Sequence, residues 1–327
     1  MAESVSNPDI TQPDATVQPQ HRALSALPPG YEIRFFSPEG KPVTDAPTSV
    51  VGSNCHTVIL KSDSSEKLLR VGVHEPERLA ASPFVTRRLP GGRTRHALVE
   101  VEGEAWVLKA YRRGGVVGSL NATRYWGAGR FLQELRVAST AHENGVATAD
   151  ILALILVPAG FGSLRAWMVS RYLSGVESLA TYFGHSEENN LFGTAGRLVA
   201  RMHRVGIDHA DLHLGNIVAS LEEGPPRAFI LDWDRAVCRG EGNWKFENLL
   251  RLWRSVEKLR RRQQVAEPPS EAPPVRGGEI FQSHPALRAF LASYAEALPA
   301  DPEEVEDYLK RRQLVLKLRT LLWPARN

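Results

Sequence analysis

The sequence contains little cysteine, the residue that would cross-link a small fold through disulfide bonds or bind a metal through sulfur. Its two cysteines among 327 residues, Cys55 and Cys238, have neither the spacing of a metal site nor the pattern of a disulfide framework. Apolar runs are short as well, since the longest, Ile151–Val157, is far below the roughly 18 residues that a membrane-spanning helix needs. The first residues lack a basic stretch followed by an apolar core, the pattern of a secretory signal. These absences predict a cytoplasmic protein with reduced thiols.

Two further absences exclude classes of partner. No G-x-x-x-x-G-K-[ST] sequence occurs, which excludes the P-loop kinases. The net charge of +3 is too small to imply nucleic acid. The basic residues are nevertheless clustered, because the segment 109–133 contains no acid and a second cluster spans Arg251–Arg262. The cations of the first cluster are Lys109, Arg112, Arg113, Arg124 and Arg130. Both clusters favour a partner with phosphates or carboxylates.

The spacing of apolar residues predicts a mixture of strands and helices. Residues 1–30 are rich in Pro, Gln, Ser and Ala without periodicity and are interpreted as a disordered leader. Tyr31–Phe36 is a candidate strand, and the pattern becomes clear after residue 83. The predicted strands are 95–102, 104–111, 149–157 and 166–172, and the predicted helices are 127–144, 187–205, 244–264 and 301–322. Two proline pairs and a Gly-Gly predict a loop at 266–285.

One short loop carries the most specific group of residues. His209–Asn216 reads HADLHLGN, and Leu231–Asp234 reads LDWD. Phosphoryl transfer from ATP needs a carboxylate that accepts the proton of the attacking hydroxyl, and oxygen ligands for Mg²⁺. Asp211 is the candidate catalytic residue, and Asn216 and Asp232 are the candidate metal ligands. Each alone is more often a turn or helix cap, but the combination predicts an ATP-dependent, kinase-like phosphotransferase that uses Mg²⁺.

A kinase-like site also needs a cation that grips the phosphates that are not transferred. Lys109 ends an alternating strand and is the candidate, and Glu134 on the following helix is its candidate partner. Gly91 and Gly92 are candidates for a short turn that covers the phosphates. They lack the G-x-G-x-x-G pattern, so an ordinary turn is the alternative.

Three further polar residues near the motif have less specific interpretations. Asp234 is either a second metal ligand or the partner of its neighbour Arg235 in a structural ion pair. His203 and His213 are interpreted as structural or loop-ordering residues, because no third metal-type ligand has a suitable spacing.

Three segments together resemble the lipopolysaccharide kinases, the family that includes the 3-deoxy-D-manno-octulosonic acid (Kdo) kinases. They are 106–115 with Arg124-Tyr125 shortly after, 203–216, and 231–235 followed by 248–255, and the resemblance covers roughly residues 83–262. It implies an α+β, two-lobed protein-kinase-like fold with a small antiparallel β lobe and a mainly helical C-terminal lobe. It also implies transfer of the γ-phosphate of ATP to a hydroxyl of Kdo, with Asp211 as the catalytic aspartate. The acceptor would be an anionic lipid-linked sugar, Kdo on a lipid A precursor, and the enzyme would lie peripherally at the cytoplasmic face of the inner membrane.

The same resemblance divides the chain. After the leader, residues 31–82 are an unassigned N-terminal extension, and 83–327 are the catalytic domain with an N-lobe at 83–172 and a C-lobe at 173–327. Within the C-lobe, the basic face of the predicted helix 244–264, with Arg254, Lys258 and Arg261, is a candidate for lipid docking, although such faces are usually only solvated.

Three alternatives to a Kdo kinase remain open. The Asp-Leu-His-x-Gly-Asn loop and the Asp-Trp-Asp sequence are similar to those of aminoglycoside and small-alcohol phosphotransferases, whose acceptors are cationic; the basic segments favour an anionic acceptor instead. A heptose of the lipopolysaccharide core is a second possible acceptor. A catalytically inactive kinase-like binding module is disfavoured because Lys109, Asp211 and Asp232 are all present.

Overall fold

The computed structural model describes residues 27–44, 54–89, 96–112, 123–222, 224–266 and 284–298. The strands are β1 (Tyr31–Phe36), β2 (Pro42–Val43), β3 (His56–Lys61), β4 (Val85–Leu89), β5 (His96–Val101), β6 (Glu104–Ala110), β7 (Ile151–Pro158), β8 (Leu164–Arg171), β9 (Glu177–Ser178), β10 (Ile207–Asp208), β11 (Ile217–Ser220), β12 (Arg227–Ile230) and β13 (Val237–Cys238). The helices are α1 (Ser65–Arg70), α2 (Pro76–Ala80), α3 (Gly129–Glu143), α4 (Glu188–Arg204), α5 (Trp244–Ala266) and α6 (Pro285–Ala297), with a 3₁₀ turn at Leu214–Asn216.

Eight strands form one antiparallel sheet in the order β2-β1-β3-β7-β8-β6-β5-β4. The central strand β7 reads ILALILVP and is buried along almost its whole length, which explains why its apolar run is continuous rather than alternating. Leu154 and Leu156 pack in the same cluster as the apolar face of α3. Leu152 and Ile155 pack in a second cluster. The sheet therefore has a core on each face.

The N-terminal strands belong to this same sheet. β3 pairs with β7 along its length, and β1 pairs with β3. The hydroxyl of Tyr31 donates to the carbonyl oxygen of Ile151 at 2.6 Å, and Lys61 forms an ion pair with Asp150 at 2.7 Å. Strands β1, β2 and β3, which fall in the extension that the sequence left unassigned as a domain, thus belong to the sheet that carries Lys109.

Among the described residues after β8, helices predominate over strands, and two small sheets carry the loops of the candidate site, β10-β13 and β12-β11-β9. Helices α4 and α6 approach closely at Gly196, where an added Cβ would lie 2.3 Å from the carbonyl oxygen of Phe290. Glycine is needed there because the partner is main chain, which cannot rotate away as a side chain could. Of the helices that the structure describes, none is both long and apolar enough to cross a bilayer.

Most of the predicted elements are confirmed. The strands and helices predicted between residues 95 and 264 are present, and their ends differ by at most two residues. The predicted loop 266–285 meets α5, which ends at Ala266, and α6, which begins with Pro285 at its first turn, where proline is well tolerated. Its interior, 267–283, lies outside the described residues. Helix α6 itself was not predicted. The predicted helix 301–322, Gly91, Gly92 and residues 1–26 of the leader lie outside the described residues.

Candidate active site

Two residues in the left-handed backbone region mark the candidate site. Ala210 has φ +58° and Asp232 has φ +66°. Neither is glycine, so each conformation costs about 1–3 kcal/mol that surrounding contacts must offset. One of these contacts joins the two segments, because Nε2 of the buried His209 donates to the carbonyl oxygen of Leu231 at 3.0 Å. The loop of Asp211 and the segment of Asp232 therefore lie side by side.

Asp211 and Asn216 are joined within the loop. The amide nitrogen of Asn216 donates to the main-chain carbonyl of Asp211 at 3.0 Å, and Asn216 is buried whereas Asp211 is partly exposed. The main-chain nitrogen of Gly215 donates to Nδ1 of His213 at 3.0 Å, which caps the 3₁₀ turn. The prediction that His213 orders the loop is confirmed.

Helix α5 holds the loop at both ends. The strained Ala210 donates its N–H to Oδ1 of Asp208 at 3.0 Å and to Oδ1 of Asn248 at 3.1 Å. Farther along, the N–H of Leu214 donates to the hydroxyl of Ser255 at 3.0 Å. Asn248 and Ser255 both belong to α5, so this helix fixes the loop on either side of Asp211. The sequence assigned neither residue a role, although both fall in a segment that resembles the lipopolysaccharide kinases.

Behind Asn248 lies a fully buried histidine. The amide nitrogen of Asn248 is 3.3 Å from Nε2 of His203, and Nδ1 of His203 is 2.8 Å from the hydroxyl of Tyr294 on α6. Because Oδ1 of Asn248 accepts from Ala210, its NH₂ group faces His203 and donates to Nε2. His203 then carries its hydrogen on Nδ1 and donates to Tyr294. Burial lowers the pKa of His203 from 6.5 to about 3, so the neutral ring persists, and the predicted structural role of His203 is confirmed.

Lys109 on β6 lies between two carboxylates. Its Nζ is 2.8 Å from Oδ1 of Asp232 and 3.5 Å from Oε1 of Glu134. The Glu134 side chain on α3 is buried, whereas 47% of the Asp232 side chain is exposed. Burial alone would lower the pKa of Lys109, but the two carboxylates together raise it above its usual value. The lysine is therefore charged, with one fixed partner inside and one at the surface.

The pKa values of the two carboxylates shift in opposite directions. Burial raises the pKa of Glu134, and the charge of Lys109 opposes that rise without cancelling it. Burial would also raise the pKa of Asp232, but its direct contact with Lys109 holds that pKa below the usual value. Asp232 is thus the carboxylate that stays ionised most readily and can exchange a protein partner for a cation.

Asp234 does not pair with Arg235 as one interpretation predicted. Both oxygens of its carboxylate accept from the guanidinium of Arg130, which lies on α3. The ion pair thereby joins the segment after β12 to the helix that carries Glu134. A metal-binding role for Asp234 stays a prediction, and it would require this two-bond contact to open.

Trp233 anchors the segment between the two aspartates. Its indole nitrogen donates to Oγ1 of Thr148 at 2.9 Å in a buried contact, and its ring centroid is 5.2 Å from that of His209. Gln133 on α3 donates to the carbonyl oxygen of Ala236 at 2.8 Å. The position of Asp232 is therefore fixed from the loop on one side and from α3 on the other.

The donor atoms present fit a magnesium ion. Mg²⁺ prefers oxygen ligands and is usually held by one or two protein groups together with substrate phosphates. Asp232 offers a carboxylate, and Asn216 offers its amide oxygen, since its amide nitrogen is engaged by Asp211. In the part of the chain that the structure describes, no group of three His, Cys, Asp or Glu side chains is arranged to hold a metal. The protein's share of such a site would be these two oxygen donors.

The structure brings five predicted site residues into one region: Lys109, Glu134, Asp211, Asn216 and Asp232. Gly91 and Gly92 lie outside the described residues. A lysine on a strand paired with a glutamate on the next helix, and an Asp…Asn loop followed by a further Asp, form the arrangement found in protein kinases. Fold and site together define the class: a phosphotransferase of the protein-kinase-like type.

Comparison with known proteins gives the family. The model of the lipopolysaccharide kinase (Kdo/WaaP) family matches residues 87–268. A 3-deoxy-D-manno-octulosonic acid kinase of Xylella fastidiosa (strain M12) is 34% identical over 175 residues, which cover 52% of this chain and 69% of that protein. The protein of the same name from Xanthomonas campestris pv. campestris (strain B100) is 35% identical with the same coverage. A solved structure of WaaP in complex with acyl carrier protein is 18% identical, covers 78% of this chain and 97% of that chain, and has a TM-score of 0.51.

The chain belongs to the lipopolysaccharide kinase (Kdo/WaaP) family, as the resemblance predicted. It is a kinase, and the likeness to the WaaP structure supports the two-lobed α+β protein-kinase-like fold.

Proposed function

We propose that this kinase transfers the γ-phosphoryl group of ATP to a hydroxyl of Kdo in the inner core of lipopolysaccharide, on a Kdo-bearing lipid A precursor. The observation that supports the reaction is the ion-paired Lys109 beside the loop of Asp211. The relatives named 3-deoxy-D-manno-octulosonic acid kinase support the acceptor. A heptose of the lipopolysaccharide core is the alternative acceptor within the same family.

The proposed roles follow from where each side chain lies. Asp211 is partly exposed in a rigid loop, so it orients the acceptor hydroxyl and takes up its proton as the new phosphate ester bond forms. Lys109 grips the phosphates of ATP that are not transferred. Because Glu134 is buried and Asp232 is exposed, Glu134 keeps the lysine in place while Asp232 is available to a cation.

Asn216 and Asp232 would hold Mg²⁺ through oxygen atoms. When bound, the ion would neutralise part of the charge that develops on the phosphates during transfer. The low pKa of Asp232 suits this role, since a ligand to Mg²⁺ must be ionised.

Local charge favours an anionic acceptor over a cationic one. Arg112 and Arg124 are exposed, and both belong to the acid-free segment 109–133 that follows the nucleotide-binding lysine. A Kdo-bearing lipid A precursor carries a carboxylate and phosphates, which this local positive charge attracts. An aminoglycoside is positively charged and would be repelled. For the same reason we propose a peripheral position at the cytoplasmic face of the inner membrane, where a lipid-linked anionic sugar is found.

The test is label transfer from radiolabelled ATP, with Mg²⁺ present, to three acceptors: a Kdo-bearing lipid A precursor, a heptosylated core and an aminoglycoside. We expect label in the Kdo-bearing acceptor, and the substitution Asp211→Asn should lower the rate by about 100-fold or more because it removes the proton acceptor. Asp63→Asn, at an exposed turn after β3, is the matched control and should retain the wild-type rate. Label in the aminoglycoside alone would overturn the proposal.

A further inference from the structure

The turn between β7 and β8 carries an aromatic residue whose backbone conformation and exposure are both unfavourable. Phe161 is 90% exposed and has φ +50° between Gly160 at +78° and Gly162 at +68°. Glycine adopts such angles freely, but for a bulky side chain they are a true outlier. Exposure of the ring to water adds a second cost. Phe161 has both a strained backbone conformation and an apolar ring exposed to water, and this combination points to a function at that position.

The turn is rigidly closed, so Phe161 is held outward. The N–H of Ala159 donates to the carbonyl oxygen of Ser163 at 2.8 Å, and the N–H of Ser163 donates to that of Gly160 at 3.0 Å. The hydroxyl of Ser163 makes a further bond to the same Gly160 oxygen at 2.6 Å. These bonds fix the backbone on both sides of the exposed ring.

A second exposed aromatic residue lies beside the turn. Tyr125 pairs with Leu164 through two main-chain hydrogen bonds of 2.8 Å, which places the next residue, Trp126, next to the turn. Trp126 is 61% exposed. Arg124, on the other side of Tyr125 in the chain, is exposed, and so is Arg112. Arg112 follows Tyr111, whose N–H donates to the carbonyl oxygen of Ala166 on β8 at 3.0 Å. Two protruding aromatic rings with cations around them have the composition of a membrane-interface anchor.

We propose that Phe161 and Trp126 form a docking tip that inserts into the interfacial layer of an anionic phospholipid bilayer, with Arg112 and Arg124 contacting the lipid headgroups. A bilayer is the occupant that fits, because the rings protrude from a closed turn instead of lining a groove, and because the surrounding charge is positive. The proposal deepens the membrane location proposed above. It does not depend on which sugar the enzyme phosphorylates.

The docking tip is connected to the candidate active site by a short series of contacts. The guanidinium of Arg130 lies 5.8 Å from the ring centroid of Tyr125, and the same guanidinium binds Asp234. Asp234 is two residues after Asp232. The residue before Trp126 is therefore linked through Arg130 on α3 to the segment that carries Asp232.

The test measures how much of the full chain sediments with vesicles of phosphatidylethanolamine and phosphatidylglycerol, with neither ATP nor acceptor present. We expect binding of the wild type, and little binding to vesicles of phosphatidylcholine alone. Phe161→Asn and Trp126→Ala should each lower the partition coefficient roughly tenfold. Phe161→Trp should retain it. Since asparagine tolerates the left-handed conformation better than phenylalanine does, Phe161→Asn should unfold at the same temperature as the wild type or higher.

Two controls make the result specific. Phe84→Ala removes another exposed aromatic ring, 42% exposed and next to the edge strand β4, and should bind vesicles as the wild type does. The triple substitution of Arg254, Lys258 and Arg261 by serine tests the basic face of α5 instead. Wild-type binding by Phe161→Asn and Trp126→Ala, loss of binding only in the triple variant, or a change in self-association with no effect on vesicles would each overturn the proposal. None of these outcomes would bear on label transfer in the acceptor assay, so the two proposals fail separately.

Discussion

Replacement of Asn248 by alanine is the most direct test of how the loop of Asp211 is held. Asn248 is fully buried and makes two hydrogen bonds, one from the N–H of Ala210 at 3.1 Å and one to His203 at 3.3 Å. In Asn248→Ala, the Ala210 N–H still donates to Oδ1 of Asp208, but Nε2 of His203 loses its donor. A buried polar group left unpaired costs about 1–3 kcal/mol. With the loop bond lost as well, the free energy of unfolding should fall by about 2–4 kcal/mol.

The effect on catalysis can be separated from the effect on stability. Ala210 holds a left-handed conformation, and Asn248 supplies one of the two hydrogen bonds that keep it there. Loss of one net hydrogen bond, about 1.4 kcal/mol, should lower kcat about tenfold. KM for ATP should hardly change, since Lys109 and Glu134 lie on other elements. Steady-state kinetics under conditions where the variant is fully folded, together with urea denaturation, measure the two quantities.

Two further variants make this prediction decisive. Asn248→Asp keeps an oxygen that accepts from the Ala210 N–H, so it should recover most of the lost kcat. A side chain that only filled the space left by Asn248 would not recover it. Asn190→Ala, at an exposed position of α4, should change neither kcat nor stability. If Asn248→Ala lowers stability but leaves kcat as in the wild type, Asn248 supports only the fold and the positioning argument is wrong.

Three other predictions follow from the described contacts. Lys109→Met should lower kcat/KM for ATP by about 100-fold or more, because it removes a charge that meets the phosphates, with the melting temperature measured alongside to show that the variant folds. Gly196→Ala should lower the free energy of unfolding by about 1–3 kcal/mol, measured in urea, because the new Cβ would lie 2.3 Å from the carbonyl oxygen of Phe290; an unchanged midpoint would show that the helices can separate freely. The pKa of His203 falls from 6.5 to about 3 on folding, so the unfolded chain binds the proton more readily and stability is lost as pH falls through that window. The slope should reach about 1.4 kcal/mol per pH unit, and His203→Gln should flatten it in denaturation curves recorded at several pH values.

The features that were predicted well from the sequence depend on residues that are close together in the chain. The predicted helices 127–144 and 187–205 end within one residue of the observed ends. The glycines that follow the predicted ranges, Gly145 and Gly206, have positive φ, at +70° and +81°. The loop from His209 to Asn216 was recognisable because its polar residues recur at fixed spacing. The contact of Lys109 with Glu134 followed from the order of a strand and then a helix.

The features that were missed depend on pairings that are distant in sequence. The alternation in Tyr31–Phe36 predicts a strand, but nothing in it says that β3 will pair with β7 and so join β1 to the main sheet. One of the two interpretations of Asp234 paired it with its neighbour Arg235, whereas its ion-pair partner, Arg130, is 104 residues away. Adjacent charges draw attention in a sequence, but side chains at successive positions usually diverge.

The most informative miss is α6, because it supports the loop of Asp211 from beyond the segment that the family model matches. That match ends at residue 268, yet the hydroxyl of Tyr294 accepts from His203 at 2.8 Å and so fixes the ring that orients Asn248. In Tyr294→Phe, Nδ1 of His203 has no partner among the described residues, and the tautomer that makes Nε2 an acceptor for Asn248 is no longer favoured. A residue far from the motif then acts on Ala210 through two intervening side chains. We expect the same pattern as for Asn248→Ala, a fall in kcat with little change in KM for ATP, but smaller, because both direct bonds to the Ala210 N–H remain. A change in KM for ATP with an unchanged kcat would contradict this chain of contacts.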